Sequence, residues 1–346
     1  MYESITDNIN CIKVALPRNP LRSLNSYVVT GRERNLLIDT GFNLPESYSD
    51  LSEGIGELGL DMERTDIFLT HCHADHTGLA GRVASKNTRV YISEVDLPLA
   101  SRMIGDTSAS KERMRNRLFE AGYPPDEIEQ SISLNPALVN NSFKMFDTVA
   151  VPDGFALDLG GFRLKAFYTP GHTPGHMCLY NEEEKILFTG DHVLFTITPN
   201  ILSWPEMQDS LGSYLESLGL VAEMDVKLAL PGHREAGDLR KRTAELLAHH
   251  EKRLDEVARI LKARPAQTTY EIASQMTWRI SENNWDDFPV SQKSFAIGEA
   301  RSHLRYLECR GRVSVVKDGG VELFSPCSVT GDAGIELFSP GGENHA

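Results

Sequence analysis

Histidines and one carboxylate are concentrated in a short loop that reads Thr-His-Cys-His-Ala-Asp-His. In an extended backbone, side chains alternate in direction, so His71 and His73 point the same way. Asp75 and His76 then fall at the start of a predicted helix and turn towards a second point in the same cleft. This set of nitrogen and oxygen donors suits Zn²⁺, Fe or Mn²⁺. The same alternation directs Cys72 away from the metals, which favours a structural role for its thiol.

Three further loops offer ligands, and each follows a predicted strand. The segments Gly-His-Thr-Pro-Gly-His, Thr-Gly-Asp-His and Pro-Gly-His present His172, Asp191 and His233. Loops at the ends of strands in a layered α/β domain converge on one edge, where ligands bind. The first loop on its own is also compatible with a solvated His-rich turn, but the four loops together offer more donors than one ion needs. They therefore predict a centre for two divalent metal ions.

Short β-rich runs alternate with helices through the first part of the chain, an order typical of a layered α/β fold. Between about residues 97 and 148, apolar residues recur at helical spacing over a length too great for a plain connection. We interpret this stretch as a helical insertion, either beside the site or as an additional packing layer. Strands are predicted at 26–30, 35–39, 66–70, 88–93, 162–168, 176–180, 185–189 and 227–230.

The C-terminal part has a different pattern. Asp238 is expected to be the N-cap of a long amphipathic helix that Pro265 ends. Two shorter helices and a hairpin turned at Asp-Gly-Gly follow, which is the order of elements in a winged-helix-type module. We therefore expect a catalytic domain over residues 1–236 and a C-terminal module over residues 237–346.

A short repeat lies at the end of the sequence. Gly-Val-Glu-Leu-Phe-Ser-Pro, at 320–326, recurs as Gly-Ile-Glu-Leu-Phe-Ser-Pro at 334–340. Two copies are too few for a solenoid. A second edge strand and a local duplication remain alternative interpretations.

Taken in order, the four ligand loops resemble the metallo-β-lactamase superfamily, in its glyoxalase II-like branch, over roughly residues 10–235. The resemblance implies an αββα sandwich, an α/β (α+β) fold with the metals at its edge. Asp39, in the turn Leu-Ile-Asp-Thr-Gly, would orient a ligand imidazole. Asp191 stands where well-known true β-lactamases carry a cysteine ligand, which argues against antibiotic cleavage. The implied ligands are His71, His73 and His172 for one metal, Asp75, His76 and His233 for the other, and Asp191 as the bridge between them.

Two metals that share a water would depress its pKa and make hydroxide available as the nucleophile. Asp75, which could steer that hydroxide, and Asp191 are the candidate catalytic residues. His176 is expected to support the ligands from behind. His192, Phe195 and Trp204 are expected to line the substrate pocket, with core packing as the rival interpretation.

These expectations describe a metal-dependent hydrolase that cleaves an ester, thioester or lactone of a small molecule, most simply with two Zn²⁺ ions. The alternative is a metal-dependent endoribonuclease or phosphodiesterase acting on single-stranded nucleic acid, since a winged-helix-like module follows the catalytic domain in similar endoribonucleases. Its basic edge would comprise Arg301, Arg305, Arg310 and Arg312. A non-enzymatic protein with structural metals is a third hypothesis.

The bulk composition limits the partners. A formal net charge of −14 and a pI near 5.3 weigh against nucleic acid as the main partner. The 5 cysteines are scattered and odd in number, which is typical of reduced thiols. No apolar run reaches membrane-spanning length, and the first residues lack a signal-peptide pattern. We therefore expect a cytoplasmic protein without a membrane segment that forms a homodimer.

Overall fold

The computed structural model describes residues 2–104, 107–135, 148–278 and 284–327. Its first sheet has seven strands in the order β1-β2-β3-β4-β5-β6-β7. Neighbours from β1 to β4 are antiparallel, whereas those from β4 to β7 are parallel, so β4 and β5 end at the same edge. The strands are β1 (Tyr2–Ser4), β2 (Ile9–Ala15), β3 (Ser23–Val29), β4 (Asn35–Ile38), β5 (Thr65–Phe68), β6 (Val90–Ser93) and β7 (Thr148–Val151).

The second sheet has five strands in the order β12-β11-β10-β9-β8. Only the pair of β11 with β12 is parallel, so these two strands also end at one edge. The strands are β8 (Ala156–Asp158), β9 (Arg163–Tyr168), β10 (Met177–Asn181), β11 (Ile186–Gly190) and β12 (Leu228–Pro231).

The two sheets pack face to face through an apolar core. Alternation along β2 sends Ile9 and Cys11 into this core and Ile12 to the opposite face, as a strand buried on both sides requires. Between the sheets, the rings of Tyr27 and Phe188 meet edge to face with centroids 5.4 Å apart.

Helices cover the outer face of each sheet, which confirms the αββα sandwich. Leu51 of α1 lies in the core cluster outside the first sheet, and Leu211 and Leu218 of α7 lie in the cluster outside the second. The predicted strands are present with bounds shifted by a few residues, while β1, β2, β7, β8 and α7 were not predicted. The helices are α1 (Pro45–Glu57), α2 (Ala74–Thr77), α3 (Ala80–Val83), α4 (Leu97–Ile104), α5 (Thr107–Glu120), α6 (Pro125–Ser133), α7 (Ser210–Ala222), α8 (Leu239–Ala263), α9 (Thr269–Gln275) and α10 (Val290–Cys309), with short 3₁₀ helices at Met62–Arg64 and Trp285–Asp287.

The helical insertion takes the form of α4, α5 and α6, and residues 136–147 of the predicted stretch lie outside the described residues. In the C-terminal part, the side chain of Asp238 accepts a hydrogen bond from the backbone N–H of Lys241 at 2.9 Å and caps α8. After α9 and α10, β13 (Val313–Asp318) and β14 (Val321–Pro326) form the predicted hairpin. The winged-helix assignment itself stays a prediction, and the second copy of the heptapeptide lies outside the described residues.

One apolar cluster is shared by the insertion, the C-terminal helices and the second sheet. It contains Leu118 of α5, Leu254 of α8, Leu304 of α10 and Phe324 of β14 beside Leu187 of β11. The boundary near residue 236 stays a prediction. Among the described residues, no helix combines the length and apolarity needed to cross a membrane.

Candidate metal centre

The ligand loops emerge at the shared edge of the two sheets. The first loop follows β5, and α2 begins at Ala74 and carries Asp75 and His76 on its first turn. Asp191 directly follows β11, and His233 follows β12 by two residues. Because β11 and β12 are parallel, their ends present these two side chains together. The structure thus brings together all the predicted ligands, and apart from half-buried His73 they are buried.

Three imidazoles form the first donor cluster. Nδ1 of His73 lies 3.0 Å from Nε2 of His71 and 3.0 Å from Nε2 of His172. Three ring nitrogens this close together cannot all direct lone pairs at one another unless a proton or a cation lies between them. Their ligand atoms all lie within 4.8 Å of one another.

Hydrogen bonds behind this cluster determine which ring nitrogen of His71 and of His172 carries the lone pair. The hydroxyl of Thr70 donates to Asp39 at 2.8 Å, so its oxygen accepts from Nδ1 of His71 at 3.0 Å. Nδ1 of His172 donates to the carbonyl of Asn200 at 2.9 Å. In both rings Nε2 is therefore the lone-pair nitrogen, and it points into the cluster.

The second cluster contains one carboxylate and two imidazoles. Nε2 of His233 lies 3.4 Å, and Nε2 of His76 3.9 Å, from Oδ2 of Asp75. Nδ1 of His233 donates to the carbonyl of Ser23 and Nδ1 of His76 donates to Asp39, both at 2.8 Å. The two Nε2 atoms are buried and have no hydrogen-bond partner among the described residues. This is the arrangement expected of lone pairs that await a cation.

Asp191 lies between the clusters. Its Oδ1 is 3.6 Å from Nε2 of His76, and its Oδ2 is 3.4 Å from Nε2 of His233 and 3.8 Å from Nε2 of His172. Oδ1 is buried without a hydrogen-bond partner in the described part of the chain. One carboxylate therefore reaches both donor clusters, and the residues present fit a pair of divalent cations.

The protonation equilibria of the first cluster and of Asp75 suit metal binding. Burial, with a contribution from the charge of His76, holds the pKa of His71 well below its ordinary value, and burial with His172 lowers the pKa of His73 to about 3. Burial would raise the pKa of Asp75, but His76 and His233 outweigh it and lower that pKa to about 2. Neutral imidazoles and an ionised carboxylate are the forms that bind cations. Against burial, Asp39 raises the pKa of His76 well above its ordinary value and Asp191 raises the pKa of His233 to about 9, so these two rings release a proton when a cation binds.

Asp39, predicted to support a ligand, accepts three hydrogen bonds behind the centre. Beside its contact with His76, it accepts from the backbone N–H of Thr70 at 2.9 Å and from the hydroxyl of Thr70. Its φ is 60°, a left-handed conformation that aspartate adopts more readily than most residues. The turn therefore holds one carboxylate beneath both donor clusters.

Asp96 was not predicted, although it ties two ligand loops together. Its buried carboxylate accepts hydrogen bonds from the backbone N–H groups of Cys72 and Gly175, at 2.9 and 2.6 Å, and from the hydroxyl of Thr173 at 2.6 Å. Cys72 itself is fully buried in the core outside the first sheet. An isolated aspartate between a strand and a helix gives no sequence signal for this role.

Two histidines beside the ligands are fully buried. Nε2 of His176 accepts a hydrogen bond from the backbone N–H of Asp191 at 3.1 Å, and its Nδ1 lies 2.8 Å from the hydroxyl of Thr169. His192 packs its ring against Tyr214, whose hydroxyl donates to the carbonyl of His192 at 3.0 Å. His192 therefore offers no exposed surface to a pocket.

The two aromatic residues predicted for the pocket take different places. Phe195 is half-buried against the cluster outside the second sheet and lies beside Gly237. Trp204 stacks on His73, with ring centroids 6.0 Å apart, and its indole N–H donates to the carbonyl of His172 at 3.0 Å. Trp204 also lines a large cavity between the insertion and the C-terminal part.

A family model described as the metallo-beta-lactamase superfamily matches residues 20–233, which is more than half of the chain and includes every ligand. The chain belongs to the metallo-β-lactamase superfamily. Among solved structures, this metallo-β-lactamase protein is similar to a metallo-beta-lactamase family protein of Thermus thermophilus, with 27% identity, a TM-score of 0.79 and coverage of 94% of this chain and 100% of that one. A beta-lactamase domain protein of Burkholderia ambifaria shares the fold at the same TM-score.

Several curated relatives of this metallo-β-lactamase protein come from fungi. It is 29% identical to the lactamase-like protein aptB of Emericella nidulans, over 70% of this chain but only 61% of that protein. The lactamase-like protein nscB of Aspergillus fumigatus is 29% identical over 85% of each chain. An atrochrysone carboxyl ACP thioesterase of Aspergillus fumigatus is 28% identical over 73% of this chain and 47% of its own length. The family and these relatives support the predicted hydrolase.

Proposed function

We propose that this protein is a dinuclear, metal-dependent hydrolase of acyl thioesters. The position of Asp191 between the two donor clusters is the observation that carries the proposal. Its oxygens lie 3.6 and 3.4 Å from Nε2 of His76 and His233 in the second cluster, and 3.8 Å from Nε2 of His172 in the first. A carboxylate so placed can bind two ions at once. Histidine and aspartate donors fit Zn²⁺ best, with Fe and Mn²⁺ as rivals for the test.

The residues of the chain prepare the site for attack by water. Two divalent cations bound there would lower the pKa of a water molecule and polarise the carbonyl of the substrate. The side chain of Asp75 keeps 12% of its surface exposed, so it reaches the cleft. As an ionised carboxylate beside the cleft, it can orient the attacking water and accept a proton from it.

A thioester suits this site better than an ester with a poor leaving group. With metals bound, each imidazole of the two clusters would serve as a ligand, so none of them would be left as a proton donor for the leaving group. A thiol has a pKa of about 8.5, well below that of an alcohol, and leaves as a thiolate without prior protonation. The ACP thioesterase among the relatives supports the same substrate class.

The ribonuclease alternative receives no such support. Arg301 and Arg305 of the predicted basic edge both pair with Glu322, and Arg310 pairs with Asp209 at 2.6 Å. Arginines whose charge is already neutralised contribute little to phosphate-backbone binding.

The five cysteines are free, which supports a reducing compartment such as the cytoplasm.

The test is hydrolysis of S-acyl-N-acetylcysteamine thioesters, measured by the thiol that is released. Matched oxygen esters and lactones are assayed in parallel. The protein is first loaded with Zn²⁺ and its metal content measured. We expect thioester turnover, loss of turnover with a chelator and recovery with Zn²⁺. Asp75→Asn should lower kcat by about 100-fold or more, whereas Asp158→Asn, which changes an exposed carboxylate at the end of β8, should not.

Thioester turnover that survives complete metal removal would contradict the proposal. So would a protein that holds two metal ions for each chain and cleaves oxygen esters or lactones but no thioester.

A further inference from the structure

A cavity of about 560 Å³ lies beside the metal centre. It is formed by α5 of the insertion, the segment that precedes α7, and α10 of the C-terminal part. This volume is typical of a site for a small molecule. The lining residues are Arg117, Glu120, Ser203, Trp204, Pro205, Met207, Gln208, Arg301, Arg305, Glu308 and Cys309.

Trp204 separates this cavity from the metal centre. Its indole lines the cavity, stacks on His73 and donates to the carbonyl of His172. A ligand that occupies the cavity therefore has the first donor cluster directly across one aromatic ring. A substrate with one part in the cavity and its scissile carbonyl at the metals would pass along Trp204.

The cavity carries an unpaired positive charge. Within residues 2–104, 107–135, 148–278 and 284–327, Arg117 has no carboxylate at ion-pair distance, although its side chain lines the cavity. Arg301 hydrogen-bonds to Glu120 and Glu322 through Nη2 alone, at 3.0 and 2.8 Å. Its Nε is buried and has no partner in the described part of the chain.

The carboxylates of the cavity are already engaged. Glu120 pairs with Arg301 and with Lys317, and Glu308 pairs with Arg305 at 2.6 Å. Three arginines and two glutamates line the wall, and among the described residues neither glutamate lies at ion-pair distance from Arg117. Arg117 keeps an exposed surface, while its burial in the cavity wall and repulsion from Arg301 lower the pKa of its guanidinium group. An anion bound by Arg117 would supply the counter-ion that these glutamates do not, and the partnerless Nε of Arg301 is a second donor in the same wall.

We propose that this cavity, here called the Arg117 pocket, binds the phosphate of a phosphorylated pantetheine arm that forms the thiol part of the substrate. The assignment rests on the proposed thioesterase activity, because it names the thiol that the reaction releases. Guanidinium groups bind phosphate oxygens through paired, charge-assisted hydrogen bonds. A long, flexible arm is needed to span Trp204, and coenzyme A and carrier proteins both present their thioesters on such an arm.

The direct test compares binding of 4′-phosphopantetheine and pantetheine to the Zn²⁺-loaded full chain by calorimetry. Both probes carry the same thiol, so the difference reports on the phosphate. We expect the phosphorylated probe to bind about tenfold tighter or more, as one charge-assisted contact provides, and this preference to fall with added salt.

A pair of variants on one helix locates the phosphate. Arg117→Gln should reduce the preference to near unity. Arg115→Gln removes the same charge two residues away, from a side chain that pairs with Glu112 and Glu129 on the surface, and should keep it. Since Arg117 has no ion pair to lose among the described residues, its variant should unfold at the same temperature as the parent.

Kinetics distinguish the subsite from the activity. Arg117→Gln should raise KM for phosphorylated thioesters about tenfold with little change in kcat, and leave S-acyl-pantetheine unaffected. Thioesters on coenzyme A and on a carrier protein, assayed side by side, show which source of the arm is used. Equal binding of the two probes, or an unchanged preference in Arg117→Gln, overturns the subsite even if thioesters are cleaved. A phosphate preference without thioester cleavage overturns the proposed function and leaves the subsite standing.

Discussion

Oδ2 of Asp39 accepts a hydrogen bond from Nδ1 of His76 at 2.8 Å, beneath the point where the two donor clusters meet. The same oxygen accepts from the hydroxyl of Thr70, which in turn orients His71. One carboxylate at the end of β4 thus sets the tautomer of a ligand in each cluster. Such partners of metal-bound imidazoles raise their basicity and fix their orientation.

Asp39→Asn should therefore lower Zn²⁺ affinity by about 10- to 100-fold, because the amide accepts more weakly from both partners. The measurement is Zn²⁺ competition with a chromophoric chelator. Asp158→Asn serves as the control for a lost surface charge. Equal affinity of the Asp39 variant and the parent would show that the hydrogen bond does not support the ligands.

The ligands were accessible from sequence because histidine and aspartate recur at strand ends in short motifs with glycine and proline. Asp39 could be anticipated from the resemblance. Asp96 could not be, because its partners are two backbone N–H groups and a threonine hydroxyl from loops about 24 and 77 residues away. Long-range hydrogen bonds to backbone leave no pattern in the chain itself.

Asp96→Ala should destabilise the protein by about 3 kcal/mol or more, because three buried donors lose their acceptor at once. Thr173→Val, which removes one of these hydrogen bonds, should cost about 1 kcal/mol. Urea unfolding of the Zn²⁺-loaded proteins measures both changes. We also expect Asp96→Ala to hold less metal, since its loops carry His71, His73 and His172, and full metal content in a destabilised variant would separate the two effects.

Gly232 leaves room for the bridging carboxylate. A Cβ at this position would lie 2.6 Å from Oδ1 of Asp191 and 3.1 Å from Cε1 of His76. Gly232→Ala should displace Asp191 and reduce kcat by about 100-fold, as a shift of about 1 Å in a site does. Gly56→Ala is the matched control, because nothing lies within 4 Å of its added Cβ, and its helical position predicts equal or slightly higher stability. Undiminished turnover of Gly232→Ala would argue against Asp191 as the bridge.

The buried carboxylate of Asp66 should make stability depend on pH below about 4. Burial alone would raise its pKa, but hydrogen bonds from Arg89 and Arg34 outweigh it and lower the pKa from 3.8. A carboxyl group whose pKa is lower in the folded than in the unfolded protein stabilises the fold at pH values above its unfolded pKa of about 3.9. This stabilisation is lost as the pH falls towards the folded pKa. Urea midpoints of the parent and Asp66→Asn should thus differ at pH 6 and converge towards pH 3. A constant difference would exclude the linkage.

The helices and the hairpin of the C-terminal part could be predicted from the sequence, because capping residues and apolar periodicity are local signals. Where they pack was not predictable, since the partners of α8 and α10 lie in an insertion and on a sheet far away in sequence. Leu254 and Leu304 share their apolar cluster with Leu118 of the insertion and Leu187 of the second sheet. The Arg117 pocket is a consequence of this packing, since its arginines come from α5 and α10.

A chain ended after residue 236 should therefore not fold cooperatively, although it contains every predicted metal ligand. Removing the C-terminal part would expose the rest of the apolar cluster to water. In the whole chain that surface is covered by four fully buried residues, Leu246, Leu254, Leu304 and Phe324. Exposed apolar surface of that kind leads to loose packing and aggregation. The measurement is urea unfolding with dye binding to apolar surface, and the full chain is the reference. A single sharp transition in the shortened chain, with Zn²⁺ bound, would instead establish residues 1–236 as an independent domain.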